Sequence, residues 1–161
     1  IEKAKEAIRR GLPIITDTTM AASGINKTAA GKFGIEVHCF IGDEDVKAKA
    51  KESGMTRSAV SVEKAAGCYP ECIYAVGNAP TALMRLYELI EEKKIRPALI
   101  IGVPVGFVNV VEAKELILTA GVPVIVARGR KGGSNVAAAI CNALIYSAAE
   151  MLDPSARGWN G

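Results

Sequence analysis

Five short apolar runs, Pro13 to Asp17, Ile35 to Ile41, Cys72 to Val76, Ala98 to Gly102 and Val122 to Ala127, alternate along the chain with stretches of helical periodicity. Most of these runs are continuously apolar instead of alternating polar and apolar residues, the pattern of strands covered on both faces. The helical stretches fall at about 45–52, 58–66, 81–94, 110–119 and 135–149. Repeated strand, helix, strand order implies right-handed crossovers. The expected fold is therefore α/β, a three-layer α/β/α sandwich around a mainly parallel five-stranded sheet. With 161 residues the chain is long enough for one sizeable core and too short for two of ordinary size. A single domain over 1–161 is expected, with an irregular tail from about 152 that carries Trp159.

Ligands of such folds sit beyond the carboxyl ends of the strands, and the unusual residues cluster there. The first strand leads into Asp17-Thr-Thr-Met20, the third into Gly77-Asn-Ala-Pro-Thr81, and the fourth into Gly102-Val-Pro-Val-Gly-Phe107. The fifth leads into Ala127-Arg-Gly-Arg-Lys-Gly-Gly-Ser134, which opens a long helix of small residues. Unpaired N–H groups at a helix start, glycines that allow close approach, and the cations Arg128, Arg130 and Lys131 point to a negatively charged ligand. Phosphate and carboxylate satisfy that chemistry equally well. The Pro/Gly/Phe segment adds a rigid wall without charge, suited to a flat, largely apolar ligand.

Other readings remain open residue by residue. Asn78 and Pro80 suit a helix start, with Asn78 as its cap. Thr56 or Ser58 can cap the helix that follows them, while Arg57 at a helix start opposes the dipole and is either solvated or held by an anionic ligand. Asp17 reads as a cap for Thr18-Thr19-Met20 or as a general acid or base. His38, the single histidine, lies in a strand pattern beside Glu36 and Phe40 and reads as structural.

A net charge of +3 with mixed signs and few aromatics lacks the basic footprint of nucleic-acid binding. No apolar run approaches the roughly 20 residues that span a bilayer. Cys39, Cys68, Cys72 and Cys141 are scattered without a disulfide framework, so buried thiols in a reducing cytoplasm are expected. Walker, dinucleotide, zinc-protease and Ser-elbow motifs are absent from the sequence. The opening Ile1-Glu-Lys-Ala-Lys-Glu-Ala-Ile8 has helical spacing with no capping residue ahead of it, the pattern of a chain entered mid-helix.

In order and spacing these segments resemble the precorrin-8X methylmutase family, also met as cobalt-precorrin-8 methylmutase. The marks are Pro13-Ile-Ile-Thr-Asp17 with Met20 and Gly24-Ile25, Thr56-Arg-Ser-Ala59, and Gly77-Asn-Ala-Pro-Thr-Ala-Leu83. They continue with Gly102-Val-Pro-Val-Gly-Phe-Val108 with Glu112 and Lys114, and Gly129-Arg-Lys-Gly-Gly-Ser134 with Asn142-Ala-Leu144. The resemblance runs to about Tyr146. It implies an isomerase of corrin (cobalamin) biosynthesis that moves a methyl group from C-11 to C-12 of the macrocycle, giving hydrogenobyrinate or its cobalt analogue. It further implies a homodimer that needs no metal or nucleotide cofactor. The substrate implied is a broad ring fringed with carboxylates. Expected substrate-binding residues are Asp17, Met20, Arg57, Ser58, Asn78, Thr81, Gly106, Phe107, Arg130, Lys131, Gly132, Gly133 and Ser134.

The family's acid is a histidine on a helix in a segment preceding Ile1, and His38 does not match that motif. The resemblance thus implies either that a preceding segment carries the acid or that this is a non-catalytic corrinoid-binding relative. A general acid contributes about 10² to 10⁴-fold, so the chain as it stands is expected to turn over slowly. A third reading, a flavodoxin-like phosphate or nucleotide module, rests on the glycine loop and fold analogy alone.

Overall fold

A computed structural model describes residues 1–106 and 108–152; Phe107 and the tail with Trp159 lie outside the described residues. The strands are β1 (Ile14–Thr16), β2 (Val37–His38), β3 (Ile73–Val76), β4 (Leu99–Gly102) and β5 (Val124–Val126). They form one sheet in the order β2-β1-β3-β4-β5, with every pairing parallel. The helices are α1 (Glu2–Arg9), α2 (Thr19–Gly24), α3 (Lys27–Gly31), α4 (Glu44–Ser53), α5 (Arg57–Cys68), α6 (Pro80–Glu91), α7 (Val110–Ile117) and α8 (Ser134–Leu152).

Because successive strand residues point to opposite faces, the central strands divide their side chains between two cores. Ile14, Ile73, Ala75, Leu99 and Ile101 pack with Ala4, Ile8, Ala137, Cys141 and Ile145 of α1 and α8 on one face. Ile15, Tyr74, Val76 and Ile100 pack with Val62, Leu83, Leu86 and Ile117 of α5, α6 and α7 on the other. The apolar runs that become β1, β3 and β4 are thus strands with two buried faces, as expected, whereas β5 at the sheet edge is only half-buried.

Two expectations need correction, and one feature was not anticipated. The run 35–41 contributes only Val37 and His38 to the ladder, since β2 is an edge strand that pairs with β1 alone. Between β1 and β2 the chain forms two short helices that carry no periodic signal. Thr18 Oγ1 caps the first by accepting from Ala21 N, and Asn26 Oδ1 caps the second by accepting from Ala29 N. The thiols are not uniformly buried either: Cys72 and Cys141 are, each pushed up to about 12 by desolvation, whereas Cys68 is exposed.

In this strand order the chain runs to opposite sides from β1 and β3, and the crevice above their carboxyl ends is where ligands collect in open parallel sheets.

Candidate functional site at the carboxyl rim of the sheet

Asp17 follows β1 and spans that crevice at its base. One carboxylate oxygen accepts from Gly77 N at 2.9 Å, and the other accepts from Asn78 N and Ala79 N at 2.8 Å each. These N–H groups introduce α6, whose N-cap Ala79 has no side chain able to cap it. Asp17 therefore caps the neighbouring strand's helix, while Thr18 caps the turn that sequence reasoning gave to Asp17. Nor does Asn78 cap α6; its side chain is left at the exposed rim. Burial pushes the Asp17 carboxyl above its ordinary range, and the three backbone N–H bonds pull in the opposite direction.

Above Asp17 lies a hollow of about 440 Å³ lined by residues of three loops: Thr18, Thr19 and Met20 after β1, Gly77 and Asn78 after β3, and Gly132 to Asn135 at the start of α8. Val105, from the loop after β4, closes the side. Thr18 Oγ1 and Ser134 Oγ share a hydrogen bond of 2.7 Å across the hollow's edge. The fit is close: a Cβ on Gly77 would stand 2.7 Å from Gly133 O and from the Ser134 Cα. Gly132, at φ +157°, approaches Val103 so nearly that a Cβ would fall 2.0 Å from the Val103 carbonyl oxygen. Gly133 N donates to Val103 O at 2.8 Å and Gly106 N donates to Arg130 O at 3.3 Å, joining the loops after β4 and β5.

Of the residues expected to bind substrate, Met20, Asn78, Gly132, Gly133 and Ser134 meet at this hollow. Gly106 sits behind it through its bond to Arg130, and Arg130 and Lys131 are exposed on the loop beside it. Asp17 is buried beneath and positions backbone. Arg57, Ser58 and Thr81 fall at the starts of α5 and α6, outside the hollow. There Thr56 Oγ1 caps α5 and donates to Thr81 Oγ1 at 3.0 Å, beside a second cavity of about 490 Å³ lined by Met55, Met84 and Arg85. Phe107 lies outside the described residues.

Sequence reasoning placed Thr18 and Val105 in rim loops and Lys114 among the family marks without giving them a role, and it did not count Asn135 at the rim. Lys114 of α7 is fully buried and its Nζ donates to Gly129 O and Lys131 O, both at 2.8 Å. Asn142 similarly secures the far side: its Oδ1 accepts from Asn26 N and its Nδ2 donates to Gly24 O at the junction of α2 and α3. His38 is stacked between Tyr69 and Phe40 and bonds Tyr69 Oη at 3.0 Å and Glu36 at 3.1 Å, a structural arrangement.

This rim presents an apolar edge of Met20 and Val105, hydroxyls, and the backbone of a helix start beside exposed cations, a set that can hold a carboxylated, partly apolar molecule. A family model described as precorrin-8X methylmutase matches residues 1–147. The chain is 43% identical over 153 residues to a cobalt-precorrin-8 methylmutase of Leptospira interrogans, covering 90% of this chain and 70% of the relative. It is 46% identical over 147 residues to that of Salmonella typhimurium, covering 91% and 68%. A solved precorrin-8X methylmutase from Thermus thermophilus superposes with a TM-score of 0.85 at 41% identity, covering 93% of this chain and 73% of the other.

Proposed function

This chain belongs to the precorrin-8X methylmutase family, and from that membership we propose that it is an isomerase of corrin biosynthesis whose rim receives the corrin macrocycle. The reaction is transfer of a methyl group from C-11 to C-12 of precorrin-8X or its cobalt counterpart. The observation that carries the reading is the convergence of the family-matching loops after β1, β3 and β5 on one 440 Å³ hollow, closed by Val105 after β4.

In this reading the ring's apolar face lies along Met20 and Val105, which are exposed at 63% and 46% beside the hollow. Its peripheral carboxylates meet Arg130, Lys131 and the start of α8, where the helix dipole favours negative charge. Arg57 reaches carboxylates on the side of α5. The contribution of these groups is to bind and orient the ring, which is most of what an intramolecular shift asks of a protein beyond a proton. Neither Asp17, whose two oxygens are taken by backbone N–H groups, nor His38 at the sheet edge serves as the acid at this rim.

The protein is further proposed to act in the cytoplasm as a homodimer, with the corrinoid as its ligand and no metal or nucleotide. Val108, a large apolar side chain 77% exposed and not assigned to the ring, supports a covering partner. No helix among the described residues is long and apolar enough to cross a membrane. The test is a spectrophotometric titration with hydrogenobyrinate, the metal-free product, whose visible absorption changes on binding. Saturation near one ring per chain is expected; an unchanged spectrum would contradict the assignment.

A further inference from the structure

Lys114 lies fully buried behind the basic loop, on a helix that contributes nothing to the hollow itself. Two loop carbonyls, of Gly129 and Lys131, receive its protons, and the intervening carbonyl of Arg130 is taken by Gly106 N. A trans peptide is planar, with each C=O opposite the next residue's N–H. With the Gly129 and Lys131 carbonyls turned inward to the ammonium, the N–H groups of Arg130 and Gly132 point away from it. Gly132 is itself one of the residues that line the hollow.

Tying down a loop needs only donors, yet the donor here is charged. Among the described residues no carboxylate pairs with Lys114; the two carbonyls are its polar partners there. A buried cation without a counter-ion is costly in the empty fold. A negative group resting on the loop's outer side would offset that cost through a thin layer of backbone.

We propose that Lys114 is a positioning residue for substrate binding: its ammonium fixes the basic glycine loop with N–H groups outward, and its charge is compensated when a substrate carboxylate occupies the loop. The inference deepens the corrinoid reading and rests on it.

The test compares Lys114→Met, Lys114→Arg and Arg130→Ala, each followed by hydrogenobyrinate titration and thermal unfolding. Methionine keeps the packing of the lysine stem and removes both donors and charge. Lys114→Met is expected to fold with a melting temperature close to the parent's while binding the ring at least about tenfold more weakly, a change of ~1.4 kcal/mol in binding. Lys114→Arg is expected to recover most of that affinity. A residue of purely structural importance would lower the melting temperature and leave the affinity of the folded protein alone. Unchanged affinity in folded Lys114→Met, with Arg130→Ala weakened, would overturn the role of Lys114 and leave the site reading intact. Unchanged affinity in Arg130→Ala as well would remove the site reading and this inference with it. Should Lys114→Met not fold, Lys114→Gln, which keeps a neutral donor, carries the same measurement. Failure of both to fold would overturn the proposal by making Lys114 a residue of the fold.

Discussion

The two ends of the sheet are both hollow and both carry cations, but they organise charge in opposite ways. At the amino ends a cavity of about 600 Å³ is lined by Lys93, Lys94 and Arg96, with Glu71 on its wall. Charge there meets charge at the surface: Arg10 grips Glu71 through two bonds of 2.5 and 3.1 Å, and Lys94 pairs with Glu92 at 3.0 Å. At the carboxyl ends the hollow is smaller, yet two charged side chains are buried behind it, and each is spent on backbone. Asp17 gathers N–H groups and Lys114 gathers carbonyls. Surface ion pairs are worth little and shift easily, whereas buried charges bound to backbone fix loop geometry. The larger cavity is thus a solvated groove, and the smaller one has the preorganisation expected of a binding site.

The strongest way to break this contrast is to remove one charge from each end. Asp17→Ala leaves two buried N–H groups and a partly buried one without an acceptor and should cost roughly 3 kcal/mol of stability or more. Glu71→Ala should cost less than about 1 kcal/mol. Urea unfolding of both variants reads the difference directly, and equal losses would erase the distinction. Next in size is Gly132→Ala, whose Cβ would collide with the Val103 carbonyl. It should destabilise by about 1 to 3 kcal/mol, as strained backbone sites do, and weaken hydrogenobyrinate binding. Normal binding in that variant would show that the loop tolerates another path.

Smaller effects sharpen the comparison further. Arg130→Ala should reduce hydrogenobyrinate affinity by about tenfold while leaving the melting temperature nearly unchanged, since an exposed cation adds little to folding. Arg96→Ala, on the opposite end, should alter neither affinity nor, beyond about 0.5 kcal/mol, stability. A corrinoid affinity that responded to Arg96 and not to Arg130 would place the ring at the wrong end of the sheet.

Runs such as 72–76 and 98–102 become β3 and β4 almost residue for residue, because double-sided burial leaves a signature in each strand's own composition. The glycine loop and its neighbours were legible as a rim for the same reason: glycine, proline and cation types declare local geometry. Asp17 and Lys114 stood out as residues but their roles did not, because their partners stand 60 to 62 and 15 to 17 residues away and are backbone atoms, to which any residue type can contribute. Helices α2 and α3 escaped notice because six and five residues are too few to show a period, although Thr18 and Asn26 were ordinary capping signals. The short edge strand β2 was overextended because Ile35 on one side and Cys39-Phe40-Ile41 on the other continue a strand-like pattern around the two residues that pair.

The most direct test of where the ring binds is amide hydrogen exchange of this chain with and without saturating hydrogenobyrinate. The account predicts new protection in peptides covering 17–21, 77–81 and 128–136, with 93–97 and 119–122 unaffected. Protection confined to the amino-end peptides, or none at the rim in a sample whose spectrum shows the ring to be bound, would contradict it.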